Sequence, residues 1–327
     1  MKIIGILLIL ALLIGLLINK YLKKKIVDQK SIKTENLNTK ENKDYPITKE
    51  DYEKVFKQYG LVNKWTFFEK HLKPEIWIKL TEFDENNMII GQSKIGGHPD
   101  LPKNTDWPKE KNGKYFLFLA QINFKELNNN EIDEIPKSGI IYFFYSEDYT
   151  SSKTIFIKDL SSLERKEAPN TISLSRSSAY NSKLNSGVFN SCNIEFINTY
   201  SLPNSQYKYV SKQLKEQEEY KYQEIPKYSG YITKLFGHPN IIQSPMEYEC
   251  ELINRGYNNW AERSTLDEKE KQEISNNQHD WKLLFQIDSE KETKMMWGDV
   301  GRLYFWIKEK DLKEQNFDNV IAIVQCC

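Results

Sequence analysis

Two histidines stand in nearly the same short motif, and histidine can bind a metal ion or transfer a proton. The motifs are Gly96-Gly97-His98-Pro99 and Gly237-His238-Pro239. Two imidazoles brought together between two halves of a protein could act as acid and base or ligate a metal. Alternatively, each ring could hydrogen-bond the nearby backbone and fix its own turn. Neither histidine has a companion at metal-ligand spacing, which favours the second interpretation.

Four further residues could contribute to a site. Gln121 and Gln286 lie near the ends of apolar runs, where a buried amide must either lock a neighbouring loop or contact a ligand. Asp299 could be a general base or a metal ligand in a cleft, or it could cap its own turn. The sequence favours the structural role for all three, although Asp299 leads the catalytic candidates, with His98 and His238. Trp297 joins the two glutamines as a candidate ligand contact.

Sequence motifs for common cofactors and nucleophiles are missing. The chain contains no phosphate loop, GxGxxG, GxSxG or HExxH pattern. Its four cysteines (Cys192, Cys250, Cys326 and Cys327) form neither a disulfide framework nor a CxxC pair. The sequence therefore predicts no cofactor and no metal, and it does not favour an enzyme.

The overall charge argues against nucleic acid as a partner. Lys plus Arg and Asp plus Glu both number 46, whereas proteins that bind nucleic acid usually carry a basic patch or stripe. The 19 Tyr, 16 Phe and 7 Trp residues supply material for a large core.

The N-terminal segment has the composition of a membrane anchor. Residues 3–18 are uncharged, and four lysines follow them (Lys20, Lys23, Lys24 and Lys25). We predict a transmembrane anchor over residues 1–22 that contacts the lipid bilayer through residues 3–22, then a flexible linker over 23–45. The lysines place the following domain in the cytoplasm by the positive-inside rule.

Residues 46–327 are predicted to form one domain with repeat halves at 76–200 and 230–327. In each half a turn motif is followed by an apolar strand with Gln and then by a Gly that opens an aromatic strand. Glycines and prolines set these turns (Gly96, Gly97, Pro99, Pro102, Gly139, Gly237, Pro239 and Gly301). The expected fold class is α+β: an internally duplicated, mostly antiparallel sheet with flanking helices, preceded by one N-terminal transmembrane helix.

Hydrophobic periodicity predicts the main elements. The predicted strands cover residues 76–80, 115–122, 140–145, 154–157, 193–199, 281–288 and 302–307. The predicted helices begin after Thr48, which is set for a capping box with Asp51, and cover residues 62–72, 210–222 and 246–256.

Several motifs resemble those of the YwqG-like family, a bacterial family of unknown function. They are Ile95 to Pro102, Trp107-Pro108, Phe118 to Ile122, Pro136 to Gly139 and Met296 to Gly301. The resemblance covers roughly residues 50–327 and implies a compact, internally duplicated α+β domain. It brings no catalytic residues.

Two functions remain open at this point. The first is a membrane-tethered cytoplasmic module that binds a ligand or an unidentified protein partner. The alternative is a hydrolase-like or ligand-modifying enzyme with a site between the two halves, near His98, His238, Gln286 and Asp299.

Overall fold

The computed structural model describes residues 48–129, 131–147, 151–170, 188–225 and 231–326. The predicted anchor and linker, residues 1–45, lie outside these ranges. Within them, none of the helices combines the length and the apolarity needed to cross a bilayer.

One antiparallel sheet dominates the described part of the chain. Its ten strands have the spatial order β12-β11-β10-β9-β1-β8-β2-β4-β5-β6, and β3 and β7 form a separate pair. The strands are β1 (Lys73–Glu82), β2 (Lys94–Ile95), β3 (Asp100–Pro102), β4 (Leu117–Asn123), β5 (Ile140–Tyr145), β6 (Ser152–Ile157), β7 (Leu163–Arg165), β8 (Cys192–Ser201), β9 (Lys234–Phe236), β10 (Trp281–Asp288), β11 (Arg302–Lys308) and β12 (Ile321–Gln325).

The aromatic strands are apolar throughout because protein covers both faces of the sheet there. All six residues of β5 are buried. On one face, the Phe143 ring lies 4.7 Å from the Phe285 ring on β10 and 4.9 Å from the Phe305 ring on β11. On the other face, β5 packs against Leu101 and Phe116. Inner side chains from both ends of the sheet thus fill one core.

The sheet curls until its two end strands almost meet. Thr154 on β6 donates a hydrogen bond to the backbone carbonyl of Phe317, just before β12. The Phe156 and Phe317 rings are 4.8 Å apart, and Lys153 Nζ lies 3.6 Å from an oxygen of Asp318. These contacts cover both edges of the sheet.

The helices are short. In the described ranges they are α1 (Lys49–Gln58), α2 (Trp65–Glu69), α3 (Lys208–Ser211), α4 (Glu216–Glu224), α5 (Glu247–Asn254), α6 (Trp260–Arg263), α7 (Glu268–Asn277) and α8 (Glu309–Lys313). The predicted capping box of Thr48 and Asp51 is confirmed at the start of α1. The rings of Phe56, Phe68 and Tyr222 join α1, α2 and α4 in a second core cluster.

The predicted fold class is wrong. Instead of an α+β domain with flanking helices behind a transmembrane helix, the described residues form mainly one nearly closed antiparallel sheet with few, short helices. Strand β1 pairs with β8 on one side and β9 on the other, so strands from distant parts of the chain share one sheet. Predicted helices 62–72 and 210–222 break into shorter pieces, because local turns interrupt the helical periodicity.

Candidate functional site

Each Gly-His-Pro motif forms a tight corner directly after a short strand. We call residues 93–100, which include β2, the first corner and residues 233–240, which include β9, the second corner. Gly97 and Gly237 have φ values of 70° and 74°, which favour glycine. A Cβ atom on Gly97 would lie 2.2 Å from Glu85 Oε1, and one on Gly237 would lie 2.6 Å from Glu75 Oε2. Glycine is therefore required for each corner to approach its carboxylate.

A buried glutamine holds each corner. Gln121 Oε1 accepts a hydrogen bond from the Asp100 backbone N–H at 2.8 Å, and its Nε2 donates to the carbonyl of Gln92 at 2.7 Å. Gln286 Oε1 accepts from the Asn240 backbone N–H at 2.9 Å, and its Nε2 also donates to a backbone carbonyl. Both glutamine side chains are fully buried. Their amides thus bond their own corners.

A tyrosine caps each corner. Tyr142 donates its hydroxyl to the backbone carbonyl of Asp100, and Tyr304 donates to that of Asn240 at 2.7 Å. Burial raises the pKa of both phenols far above their usual range. Both hydroxyls therefore stay protonated and remain donors.

The first corner carries a network of charges. Lys94 Nζ lies 2.9 Å from Glu85 Oε1 and 3.4 Å from Asp100 Oδ1, and Arg165 Nε donates to the same Asp100 oxygen at 2.9 Å. His98 Nδ1 lies 2.7 Å from Glu85 Oε2. Burial alone would raise the pKa of Glu85, but hydrogen bonds from His98 and Lys94 outweigh it and lower the pKa to about 2. His98 is one member of this network.

The second corner carries one buried ion pair and a neutral histidine. Lys234 Nζ lies 2.6 Å from Glu75 Oε2 and donates to the His238 carbonyl at 2.5 Å. His238 is 4% exposed, and its Nε2 lies 2.8 Å from the backbone carbonyl of His71. Desolvation lowers the pKa of His238 well below its usual value. The ring is therefore neutral, with Nε2–H donating to that carbonyl.

The two corners do not meet. Phe236 in the second corner pairs with Glu75 near the beginning of β1. Ile95 in the first corner pairs with Cys192, which also lies opposite Glu82 at the other end of β1. At about 3.3 Å per residue, the stretch of β1 between these pairing positions is roughly 23 Å long. The two corner histidines thus lie near opposite ends of β1 and cannot share one site.

Asp299 and Trp297 belong to the connection between β10 and β11. Asp299 is exposed in the turn between β10 and β11. Trp297 is fully buried, donates Nε1–H to the Asp288 carbonyl at 3.1 Å and packs against Tyr145. Neither Asp299 nor Trp297 lines the clefts that open beside the two corners. A role for Asp299 in catalysis stays a prediction.

The remaining predicted turn residues occupy crowded positions. A Cβ on Gly139 would lie 2.7 Å from the Phe156 ring, and one on Gly301 would lie 2.3 Å from the Gln325 carbonyl. Pro102 belongs to the small sheet, whereas Pro99 and Pro239 directly follow the corner histidines. These residues shape the backbone.

A cleft of about 820 Å³ opens beside the second corner, and we call it the basic cleft. The end of β9 and the first residues of β1 and β10 meet there, together with α2, α3 and the start of α5. Its aromatic and imidazole rings come from Phe67, His71, Tyr207, Tyr209, His238, His279 and Trp281, and its charged residues are Lys73, Lys208, Lys212 and Glu247.

Stacked rings form one wall of the basic cleft. The His71 ring stacks on Phe67, with centroids 4.2 Å apart, and on Tyr209, with centroids 5.3 Å apart. His71 Nδ1 is 2.8 Å from the Phe67 carbonyl, which fixes the imidazole orientation. Tyr207 donates its hydroxyl to Glu247 Oε1 at 2.6 Å. Burial, then the charge of Glu247, raises the pKa of Tyr207 well above its usual value.

The lysines of the basic cleft have no carboxylate partner within the residues that the structure describes. Lys73 is exposed as a residue, yet desolvation and the nearby charge of Lys282 lower its pKa. The charge of Glu247 opposes that shift only in part. With three lysines against one glutamate, the lining of the cleft has an excess of basic side chains, which suits an anion.

The first corner borders a smaller cleft of opposite charge. Its volume is about 580 Å³, and Glu82, Asp84, Glu85 and His98 line it. Among the described residues, no three His, Cys, Asp or Glu side chains are grouped so that they could hold a metal ion.

Sequence patterns missed the basic cleft because its walls come from four separate segments of the chain. One local signal existed, since Tyr207-Lys208-Tyr209 places a cation between two aromatic rings. His71 and Lys73, which approach these residues only in the folded protein, carry no motif.

Comparison with known proteins places the chain in a family. Residues 93–326 match the family described as a domain of unknown function, DUF1963. A comparison with curated proteins finds no match. The matched range contains both corners and both buried glutamines, whereas Phe67, His71 and Lys73 of the basic cleft precede it. The chain belongs to the DUF1963 family.

Proposed function

We propose that this protein is a binding module of the YwqG-like type, with the basic cleft as its ligand site. One observation carries the proposal: three lysines without carboxylate partners among the described residues line an aromatic cleft, on a chain with equal numbers of basic and acidic residues. A volume of about 820 Å³ is in the range of small-molecule sites, about 300–1,000 Å³. The predicted anchor over residues 3–22 and the cytoplasmic location are part of this proposal.

Two histidines and a tyrosine of the cleft are already hydrogen-bonded, which favours binding over catalysis. His238 Nε2 and His71 Nδ1 are already hydrogen-bonded to backbone carbonyls, and the Tyr207 hydroxyl bonds Glu247. A general acid or base must instead be free to reach a substrate proton. An enzyme with its site between the two halves would also need His98 near His238, at the opposite end of the sheet.

A ligand screen on the purified full chain tests this function. We expect some small molecules in a chemically mixed library to raise the melting temperature, because a ligand that binds only the folded state stabilises it. Replacing Lys208 and Lys212 by Ala should abolish those shifts, whereas Lys269→Ala, at an exposed site on α7, should leave them intact. Shifts that survive the double substitution would place the ligand elsewhere.

The proposed orientation has its own test. A reporter that is active only in the cytoplasm, fused after residue 327, should be active and remain with the membrane fraction. Activity from an exported reporter alone would overturn the cytoplasmic location, and recovery of the chain in the soluble fraction would overturn the anchor.

A further inference from the structure

We infer that the basic cleft takes a small molecule in which a planar ring carries a phosphate. This inference rests on the proposed function and names the chemical class of its ligand. It needs a surface for the ring, a cluster of cations for the phosphate, and a distance between the two that one small molecule can span.

The ring surface lies at Tyr209, whose ring stacks on His71 and also lies 5.6 Å from the Tyr207 ring. Phe67 and His71 are packed against each other, whereas Tyr209 is 40% exposed. Tyr209 lines the cleft, and its exposed part is the surface that a ligand ring would contact. Offset stacking of two aromatic rings contributes about 0.5–1.5 kcal/mol beyond the area buried.

The cation cluster lies beside that surface. Lys208 precedes Tyr209 in the chain, and Lys212 lies one helical turn after Lys208. Lys73 reaches the cleft from the beginning of β1. A phosphate would place negative charge among three ammonium groups that lack carboxylate partners in the described part of the chain. Lysine binds phosphate as a point charge, which suits a cluster of flexible side chains.

The one carboxylate in the cleft does not cancel this charge. Glu247 accepts the hydroxyl of Tyr207, which orients the carboxylate toward that ring. Lys282, whose charge also acts on Lys73, is paired with Glu309 at 3.1 Å. Because Tyr209 and the three lysines line the same cleft of about 820 Å³, a single molecule can reach both the ring and the cations.

Matched probes test the inference on the full chain. The ring phosphates are adenosine monophosphate and 1-naphthyl phosphate, and the controls are adenosine, 1-naphthol and inorganic phosphate. Isothermal titration at low salt should show at least one ring phosphate binding tenfold or more tightly than both its dephosphorylated form and inorganic phosphate. Binding should weaken as salt is raised, because the attraction is electrostatic.

Variants assign the two parts of the ligand. The double substitution of Lys208 and Lys212 by Ala should weaken binding of the ring phosphate at least tenfold and flatten its salt dependence. Tyr209→Ala should also weaken it, whereas Tyr209→Phe, which keeps the ring, and the Lys269→Ala control should not.

Three outcomes would overturn the inference: neither ring phosphate binds at millimolar concentration, a dephosphorylated form binds equally well, or inorganic phosphate binds equally well. If the mixed library still yields ligands that depend on Lys208 and Lys212, the proposed function stands and only the ligand class is wrong. If the library yields none, both fail.

Discussion

The two corners share one frame but distribute charge differently. In both, a buried glutamine bonds the corner backbone and a tyrosine caps it. Asp100 of the first corner corresponds to Asn240 of the second, and both donate their backbone N–H to the glutamine. The first corner therefore has two carboxylates around Lys94, whereas the second has Glu75 alone beside Lys234.

This difference extends to the surfaces beside the two corners. The first corner places its histidine between Glu85 and Glu167, beside an acidic cleft. The second corner neutralises its own charges internally and leaves a neutral histidine against the basic cleft. The same corner backbone thus lies beside two surfaces of opposite charge, and the two corners differ only in the charged side chains around them.

The largest expected difference between the corners concerns their carboxylates. Glu75→Gln removes the carboxylate that pairs with the fully buried Lys234, and should lower the free energy of unfolding by about 3–5 kcal/mol. Glu85→Gln should lower the free energy of unfolding by less, about 1–3 kcal/mol, because Asp100 remains as an ion-pair partner of Lys94. Urea unfolding followed by tryptophan fluorescence measures both. Equal losses of unfolding free energy would mean that Asp100 does not compensate the charge of Lys94 when the Glu85 carboxylate is removed.

Substitutions of the two buried glutamines should destabilise the protein to a similar extent. Gln121→Leu and Gln286→Leu each leave a buried backbone N–H and a carbonyl without their partner, so each should lower the free energy of unfolding by about 2–4 kcal/mol. The same urea experiment applies. If only one substitution lowers the free energy of unfolding, the other glutamine does not hold its corner. The side chain of that glutamine would then be a candidate ligand contact.

The smallest expected difference is in pH dependence. Because burial lowers the pKa of His238, the unfolded chain binds a proton near pH 6.5 that the folded chain does not. Stability therefore falls as the pH falls below about 6.5, by about 2 kcal/mol between pH 7.5 and 5. His238→Gln, whose amide can still donate, should reduce this loss. His98→Gln is the matched control, and an unchanged pH profile for His238→Gln would show that the buried ring does become protonated.

The long strands could be predicted from the sequence, and the fold class could not. Strands β5 and β10 have the predicted limits, since their apolar runs are long and are bounded by turns. Strands β2 and β9 are two and three residues long, too short for any periodicity. Yet β9 joins β10 to β1, and β2 joins β8 to β4. The connections that make one sheet are thus the elements that carry no local signal.

The candidate site shows the same limit. The repeated motif drew attention to His98 and His238, but a motif cannot tell at which end of a sheet each copy lies. That depends on strand direction: β2 and β9 are separated by β1 and β8, and every pairing among them is antiparallel. Among the lysines of the basic cleft, Lys208 and Lys212 are one helical turn apart in the sequence, and only the fold brings Lys73 to them.

The position of β1 has a consequence for synthesis of the protein. β1 is the first strand of the sheet in chain order, yet it lies at the centre, between β8 and β9. Its first partner residue to be made is Cys192, long after Glu82. At about 5–20 residues per second, β1 waits on the order of 10 s on the ribosome without a strand partner. We therefore expect the domain to fold late, after most of its chain has been made, and its nascent form to depend on chaperones that cover an exposed apolar strand.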